Sequence, residues 1–118
     1  MLNNSSEFSH IYLCAGYTDL RKGIDGLIAI VTNSFGLDPA VPGSLFLFCG
    51  RRTDRLKALI YEGDGWLLCY KRFTDGKLQW PRNISEALDL SPQQYRWLME
   101  GLAIEQKKVI RQTAPGIY

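Results

Sequence analysis

Basic side chains are concentrated in the middle of this chain, where they could bind the phosphates of a nucleic acid. Residues 50–82 hold eight lysines and arginines against four acidic residues, although the formal net charge of the chain is only +2. Cations that share one surface neutralise phosphates and release counterions, so their distribution matters more than the net charge. We therefore expect a basic working surface built from this segment. Its candidate DNA-binding residues are Arg51, Arg52, Arg55, Lys57, Lys71, Arg72 and Lys77.

A second group of charges lies in the sequence TDLRK at residues 18–22, at the start of a predicted helix. A helix N-terminus presents unpaired N–H groups to which a phosphate can dock. Cations at that end oppose the helix dipole, so Arg21 and Lys22 need a compensating anion. Two hypotheses follow. Either Arg21 and Lys22 bind phosphate, or Asp19 and Asp25 pair with nearby cations and fix the helix to the sheet.

Aromatic residues alternate with the cations of the central segment and allow two interpretations. Their rings could stack on bases beside phosphate-binding cations, as in proteins that bind single strands. Alternatively, strand aromatics form the core, and charged hairpin tips are solvated surface that protects sheet edges. The residues concerned are Trp66, Tyr70, Phe73 and Trp80.

The carboxylates of the chain do not match a catalytic pattern. A metal-dependent nuclease needs two or three carboxylates that converge on divalent ions. Asp64 and Asp75 each precede glycine in turn sequences, where aspartate is ordinary, and the single histidine, His10, borders a polar leader. The sequence contains no G-x-S-x-G, Walker or H-E-x-x-H motif. We expect no catalytic residue, no metal and no cofactor. The other carboxylates open to a nuclease hypothesis are Asp19, Asp25, Asp54 and Glu62.

The elements that position these residues are predicted to form an α+β domain, since 118 residues provide one hydrophobic core. Apolar runs predict strands at residues 11–15, 44–49, 56–61, 66–73 and 77–80. Turn sequences separate the later runs, which favours a mostly antiparallel meander. Pro81 should end the meander. Residues 82–90 are expected to form a loop with a helical turn around residues 86–88.

Two amphipathic helices complete the predicted architecture. Apolar residues at spacings of three and four from Leu20 to Phe35 indicate a helix capped by Thr18 or Asp19 and ended near Gly36. Gly23 and Gly26 weaken that helix unless they permit close packing against the sheet. The sequence SPQQ at residues 91–94 has the pattern of a capping box with proline at the first helical position. The buried stripe of this second helix should be Tyr95, Leu98, Met99 and Leu102.

We expect a flexible polar leader at residues 1–9, the domain at residues 10–103 and a loosely ordered tail at residues 104–118. No apolar run reaches the roughly 18 to 20 residues of a membrane span, and the leader does not resemble a secretion signal. A cytoplasmic location is therefore expected. Cys14, Cys49 and Cys69 form an odd set without C-x-x-C spacing, which favours buried reduced thiols.

Residues 16–27, GYTDLRKGIDGL, resemble the signature of the TnpB-type accessory protein of the IS66 insertion-sequence family. The similarity covers roughly residues 10–102 and departs from the pattern at two apolar positions. Leu20 replaces an expected methionine and Phe73 an expected leucine, exchanges that should preserve packing. The further matching motifs follow in the same order: Arg51-Arg52, Asp54-Arg55, Lys57, Asp64-Gly65, Tyr70-Lys71-Arg72, Trp80-Pro81, Leu98 and Gly101.

The resemblance implies a bacterial mobile-element protein that supports transposition together with the transposase and another small accessory protein. It is similar in name only to the longer RNA-guided nucleases also called TnpB. We expect contact with DNA, with the transposase or with both, without making or breaking phosphodiester bonds. A protein adaptor that docks through the region of Trp97, Met99 and Leu102 or through an exposed sheet edge is the alternative, and a small metal-dependent nuclease is a further one. The motif residues expected to be structural are Gly16, Thr18, Asp19, Gly23, Asp25, Gly26, Trp80 and Pro81.

Overall fold

Five strands in the order β4-β3-β2-β1-β5 form one sheet in the computed structural model, which describes residues 2–106. Two helices cover its faces, and a short 3-10 turn at Ser5–Glu7 precedes the first strand. The strands are β1 (His10–Cys14), β2 (Ser44–Phe48), β3 (Arg55–Tyr61), β4 (Trp66–Arg72) and β5 (Ala87–Asp89), and the helices are α1 (Ile24–Asn33) and α2 (Pro92–Met99).

The sheet is mostly antiparallel, as predicted for an α+β chain. Strands β2, β3 and β4 form an antiparallel meander, and β5 runs antiparallel to β1. The exception is β1, which pairs in parallel with β2 so that Ile11 lies opposite Leu45. A parallel pair needs a crossover connection, and α1 lies within it. The C-terminal ends of β1 and β2 consequently meet at one edge of the sheet.

The prediction of a strand at residues 77–80 is wrong. A strand forms instead at Ala87–Asp89, where a loop and a helical turn were expected. Leu78 and Trp80 are buried while Lys77 and Gln79 are exposed, so the alternation in the sequence is real. It comes from an extended segment that packs on the sheet, with Leu78 N–H donating to the Thr53 carbonyl at 2.7 Å. The short β5 is a strand because it pairs with the open edge of β1.

Each face of the sheet carries its own apolar core. Leu27 and Val31 of α1 pack with Phe46, Phe48 and Leu59 on one face. On the other face, the buried α2 residues Tyr95 and Leu98 pack with residues of β1, β2 and β3. All five residues of β2 are buried, because the strand is central and both of its faces are covered.

Helix α1 begins at Ile24, later than the apolar spacing predicted. Gly23 is its N-cap residue and makes no side-chain capping bond, so the predicted cap by Thr18 or Asp19 is wrong. The Asp19 carboxylate instead accepts the N–H of Arg21 at 3.0 Å, and such a local bond competes with helix formation. Gly36 follows the helix with φ of +65°, the left-handed conformation expected of it.

The glycines of the α1 region do not serve close packing against the sheet, contrary to expectation. A Cβ atom at Gly26 would lie 3.1 Å from Cβ of Lys22, and one at Gly23 would meet no atom within 4 Å. Both positions therefore face the local chain or open space.

Helix α2 begins as its sequence predicts. Ser91 Oγ accepts the N–H of Gln94 at 3.1 Å, and the Gln94 side chain accepts the N–H of Ser91 at 2.9 Å. Tyr95 and Leu98 are buried as expected, whereas Leu102 is exposed. The Tyr95 hydroxyl donates to the carbonyl of Leu2, which ties α2 to the start of the chain.

Cys14 and Cys49 are buried, and Cys69 is partly buried. None of the helices within residues 2–106 has the length and apolar character needed to cross a membrane. The boundaries proposed for leader, domain and tail stay predictions, and residues 107–118 of the tail lie outside the described residues.

Candidate functional site

An open groove of about 940 Å³ lies where β1 and β2 end. Its walls are the loop that follows β1 and the loop that follows β2, which are adjacent because the two strands are parallel. Side chains from β3 and β4 complete the lining. The lining residues are Tyr17, Thr18, Asp19, Leu20, Arg21, Gly50, Arg51, Arg52, Arg55, Lys57 and Tyr70.

The two walls touch at Thr18 and Gly50. Thr18 N–H donates to the carbonyl of Cys49 at 3.0 Å, and the Thr18 side chain is buried. A Cβ atom at Gly50 would lie 3.2 Å from the Thr18 carbonyl oxygen and 3.4 Å from Cγ of Leu20. Glycine at position 50 therefore permits the approach of the two loops.

The motif Trp80-Pro81 braces the first wall. The indole Nε1 of Trp80 donates to the Cys14 carbonyl at 3.2 Å, and the Pro81 carbonyl accepts Gly16 N–H at 2.8 Å. Gly16 itself has φ of +86°, which favours glycine at the exit from β1. These contacts give the matching motifs a structural role.

Arg82 connects both walls and was not among the predicted site residues. Its guanidinium donates to the carbonyl of Gly16 at 2.8 Å and to the carbonyl of Gly50. The same group lies 4.0 Å from the centre of the Tyr17 ring and 3.9 Å from Sγ of Cys49. The only sequence signal for this residue is its place in the basic segment directly after Trp80-Pro81.

Asp19 and Arg21 form an ion pair inside the first wall. Arg21 Nη2 lies 2.9 Å from Asp19 Oδ2, and Arg21 Nε lies 3.0 Å from Oδ1. These side-chain hydrogen bonds lower the pKa of Asp19 to about 2. The pair lies within one loop, so it does not fix a helix to the sheet.

Asp25 lies in the first turn of α1, and no ion pair of its carboxylate is seen within residues 2–106. A carboxylate there complements the positive end of the helix dipole, which is a structural role without a partner cation. Arg21 and Lys22 precede the helix, and the Asp19 carboxylate supplies the compensating anion for Arg21.

Asp54 organises the arginines of the second wall. Arg55 Nε lies 2.9 Å from Asp54 Oδ1, and Arg52 Nη2 lies 3.4 Å from Oδ2. The side-chain hydrogen bond from Arg55 is the main cause of a lowered pKa of Asp54. No ion pair of Arg51 is seen within residues 2–106, and its guanidinium is open to an external anion.

The groove gathers five of the nine predicted DNA-binding cations beside a single carboxylate, that of Asp19. Lys22 borders it, since its carbonyl accepts from Nζ of Lys57 at 2.9 Å. Arg72 lies opposite Arg55 in the β3–β4 register, on the same sheet face. The cations inside the groove are Arg21, Arg51, Arg52, Arg55 and Lys57.

Lys71 and Lys77 do not join this groove. Side chains alternate between the faces of a strand, so Lys71 lies on the opposite face from Arg72, with Nζ 5.3 Å from the Phe73 ring centre. Lys77 lines a separate small cavity beside Met99. The expectation of one surface for all of these cations is therefore wrong.

The aromatic residues divide between core and groove. Trp80 is buried, and Trp66 and Phe73 are partly buried against the two cores, so the core interpretation holds for these three. Tyr70 is exposed in the groove, and so is Tyr17, which the sequence did not single out.

The carboxylates considered for a nuclease are dispersed. Asp19 and Asp54 are held by arginines, whereas Asp64 and Asp75 lie in exposed turns. Within residues 2–106, no three side chains from histidine, cysteine, aspartate and glutamate are grouped so that they could hold a metal ion.

Comparison with known proteins matches residues 9–109 to the family described as IS66 Orf2 like protein. The chain is similar to the uncharacterized protein y4jC of Sinorhizobium fredii, with 35% identity over 98 residues, 80% of this chain and 83% of that protein. It is also similar to the uncharacterized protein y4hO of the same organism, with 33% identity over 98 residues, 83% of this chain and 84% of that protein. No solved structure shows a significant match.

Proposed function

The chain belongs to the IS66 Orf2-like family, accessory proteins of IS66 insertion sequences, and from this premise we propose that it contacts DNA through the groove during transposition. The observation that carries the proposal is the set of five cations that line one concave surface, with only the carboxylates of Asp19 in the lining and Asp54 beside it to pair with them. Arg51 supports it most directly, because no ion pair holds its guanidinium within residues 2–106. DNA phosphates would serve as the anions that pair with Arg51 and the neighbouring cations. We place this contact in the cytoplasm, where the element's DNA lies.

The contact we propose is non-catalytic. Phosphodiester cleavage by metal ions needs carboxylates free to coordinate them. The two carboxylates nearest the groove, Asp19 and Asp54, accept hydrogen bonds from Arg21 and Arg55. Their role in this proposal is to orient the arginines, and the transposase supplies the chemistry.

Binding of the purified protein to labelled DNA across a salt series tests this proposal. The logarithm of the binding constant should fall linearly with the logarithm of salt concentration, as phosphate neutralisation requires. The double variant Arg51→Ala/Arg52→Ala should bind more weakly and reduce the slope by roughly 0.7–0.9 for each phosphate that it no longer neutralises.

Arg96→Ala is the control, because Arg96 lies exposed on α2 and its side chain hydrogen-bonds only to Gln93 within residues 2–106. It should bind DNA like the unchanged protein. No binding of any DNA at low salt would overturn the proposal, as would equal loss in the control and the double variant.

Docking on the transposase or on the second small accessory protein is our second candidate. It is favoured by Leu102, which is 41% exposed and follows α2 beside the partly buried Trp97. Leu102→Asp should then abolish co-purification with the transposase while DNA binding is retained. Unchanged co-purification would contradict docking at this position.

A further inference from the structure

Two tyrosines expose large ring areas in the groove. Tyr17 is 65% exposed and Tyr70 is 52% exposed, although both lie among side chains that line a concave surface. The groove therefore offers aromatic faces as well as cations. That combination is the one by which proteins hold unpaired bases and the backbone that links them.

The Tyr17 ring is held in position although it is exposed. The Arg82 guanidinium covers one side of the ring at 4.0 Å from its centre. Hydrogen bonds to the carbonyls of Gly16 and Gly50 fix that guanidinium in turn. A ring supported from one side and open on the other loses little conformational freedom when a planar group stacks on it.

Tyr70 lies on β4, next to cations of β3 and β4. It is directly opposite Lys57 in the β3–β4 register, and Arg72 follows two residues later on the same face. Arg55 lies opposite Arg72 and diagonal to Tyr70, so three positive side chains neighbour the Tyr70 position on this face. A base stacked on Tyr70 would have its flanking phosphates near these cations.

The groove does not have the form that reads a duplex. An α-helix or a two-stranded ribbon enters the major groove of B-form DNA, and it must protrude to do so. None of the lining residues belongs to α1 or α2, and the cations line an open concavity. In a duplex the bases are stacked on each other, so their faces are not available to Tyr17.

We propose that the groove binds single-stranded nucleic acid, with unpaired bases stacked on Tyr17 and Tyr70 and the backbone along the arginines. This inference rests on the proposed DNA contact and adds the strandedness of the ligand. A transposition accessory protein with this property would bind strands exposed at the ends of the element or at its target.

The experiment compares fluorescein-labelled oligonucleotides of about 12 nucleotides, single-stranded and duplex, by fluorescence anisotropy. The unchanged protein should bind the single strand more tightly. Tyr17→Leu should weaken single-strand binding roughly 5- to 150-fold, the range expected when one aromatic–base stack is removed, and leave duplex binding unchanged. Tyr17→Phe retains the ring and should bind like the unchanged protein.

Tyr70→Leu provides an independent second variant with the same expected selectivity. Tyr61→Leu is the control, because Tyr61 lies at the far end of β3 and outside the groove lining. Circular dichroism establishes that each variant is folded before binding is measured.

Equal affinity for single strand and duplex, both unaffected by Tyr17→Leu and Tyr70→Leu but weakened by Arg51→Ala/Arg52→Ala, would overturn this inference and leave the DNA contact standing. Absence of binding to either DNA at low salt would overturn both. A selective loss of single-strand binding in the leucine variants, restored in Tyr17→Phe, would support both.

Discussion

The guanidinium of Arg82 lies 4.0 Å from the centre of the Tyr17 ring and at the same time donates to the carbonyls of Gly16 and Gly50. These carbonyls belong to the two loops that form the walls of the groove. One partly buried side chain therefore joins both walls and supports the most exposed aromatic ring between them. Charge-assisted bonds to fixed carbonyls are stronger than exposed ion pairs.

Replacing Arg82 by methionine should lower the free energy of unfolding by about 1.5–3 kcal/mol, because two carbonyls lose a charged donor. Urea unfolding followed by circular dichroism measures the change. Arg51→Met is the matched control in the same groove and should remain within about 0.5 kcal/mol of the unchanged protein. Equal stability of the two variants would show that Arg82 does not hold the walls.

Trp80→Phe should cost about 1–2 kcal/mol of stability, since the ring stays buried while the bond from Nε1 to the Cys14 carbonyl is lost. Trp80→Ala should cost more, about 3–5 kcal/mol, because it also leaves a cavity in the core. Thermal unfolding of both variants checks the order. If Trp80→Phe were as unstable as Trp80→Ala, the lost hydrogen bond would account for the whole loss of stability, and the predicted contribution of the cavity would be wrong.

The ion pair of Asp19 with Arg21 predicts a specific dependence of stability on pH. The pKa of Asp19 is about 2 in the folded protein, below the value of about 3.9 in an unfolded chain. A depressed pKa stabilises the fold above the unfolded value, and this contribution is lost as the pH falls from about 4 towards 2. The unfolding midpoint of Asp19→Asn should therefore lie below that of the unchanged protein at neutral pH and converge with it in acid.

Arg21→Gln removes the guanidinium, the main cause of the lowered pKa of Asp19, but keeps the backbone N–H bond, so its pH profile should flatten in part over the same acid range. A difference between Asp19→Asn and the unchanged protein that stays constant from neutral pH to pH 2 would contradict the assignment. Urea midpoints measured at several pH values distinguish the two results.

Cys14 should resist alkylation in the folded protein. Burial raises the pKa of its thiol to about 12, so the reactive thiolate is scarce at pH 8. Iodoacetamide should modify Cys14 in denaturing urea and leave it unmodified under native conditions. Mass spectrometry of the peptide that contains Cys14 measures both states, and rapid native labelling would contradict the buried position on β1.

Local patterns predicted the parts of the fold that depend on neighbouring residues. The capping box of Ser91 and Gln94 starts α2 because both partners lie within one turn of chain. The start of α1 was missed because the Asp19 carboxylate bonds to Arg21 N–H and replaces a helical turn by a local one. β5 could not be predicted because its three residues are a strand only through pairing with β1.

The candidate site was predictable in composition but not in arrangement. Clustering in the sequence identified Arg51, Arg52 and Arg55 as candidate site residues, and all three line the groove. Lys71 and Arg72 both fall in the predicted strand at residues 66–73, so strand alternation alone places them on opposite faces, and the register adds that Arg72 lies opposite Arg55. Arg82 and Tyr17 were missed because their role depends on contacts between segments that are distant in sequence.

The groove can form only when β1 has paired in parallel with β2. Its two walls lie on either side of the crossover that contains α1, so no continuous stretch of chain can form them. Closing that connection costs chain entropy that is recovered only when His10 meets Ser44 and the rest of the register forms. Nascent or truncated chains that lack β2 would keep Arg21 but have no second wall. The groove is thus a property of the finished sheet and not of either loop alone.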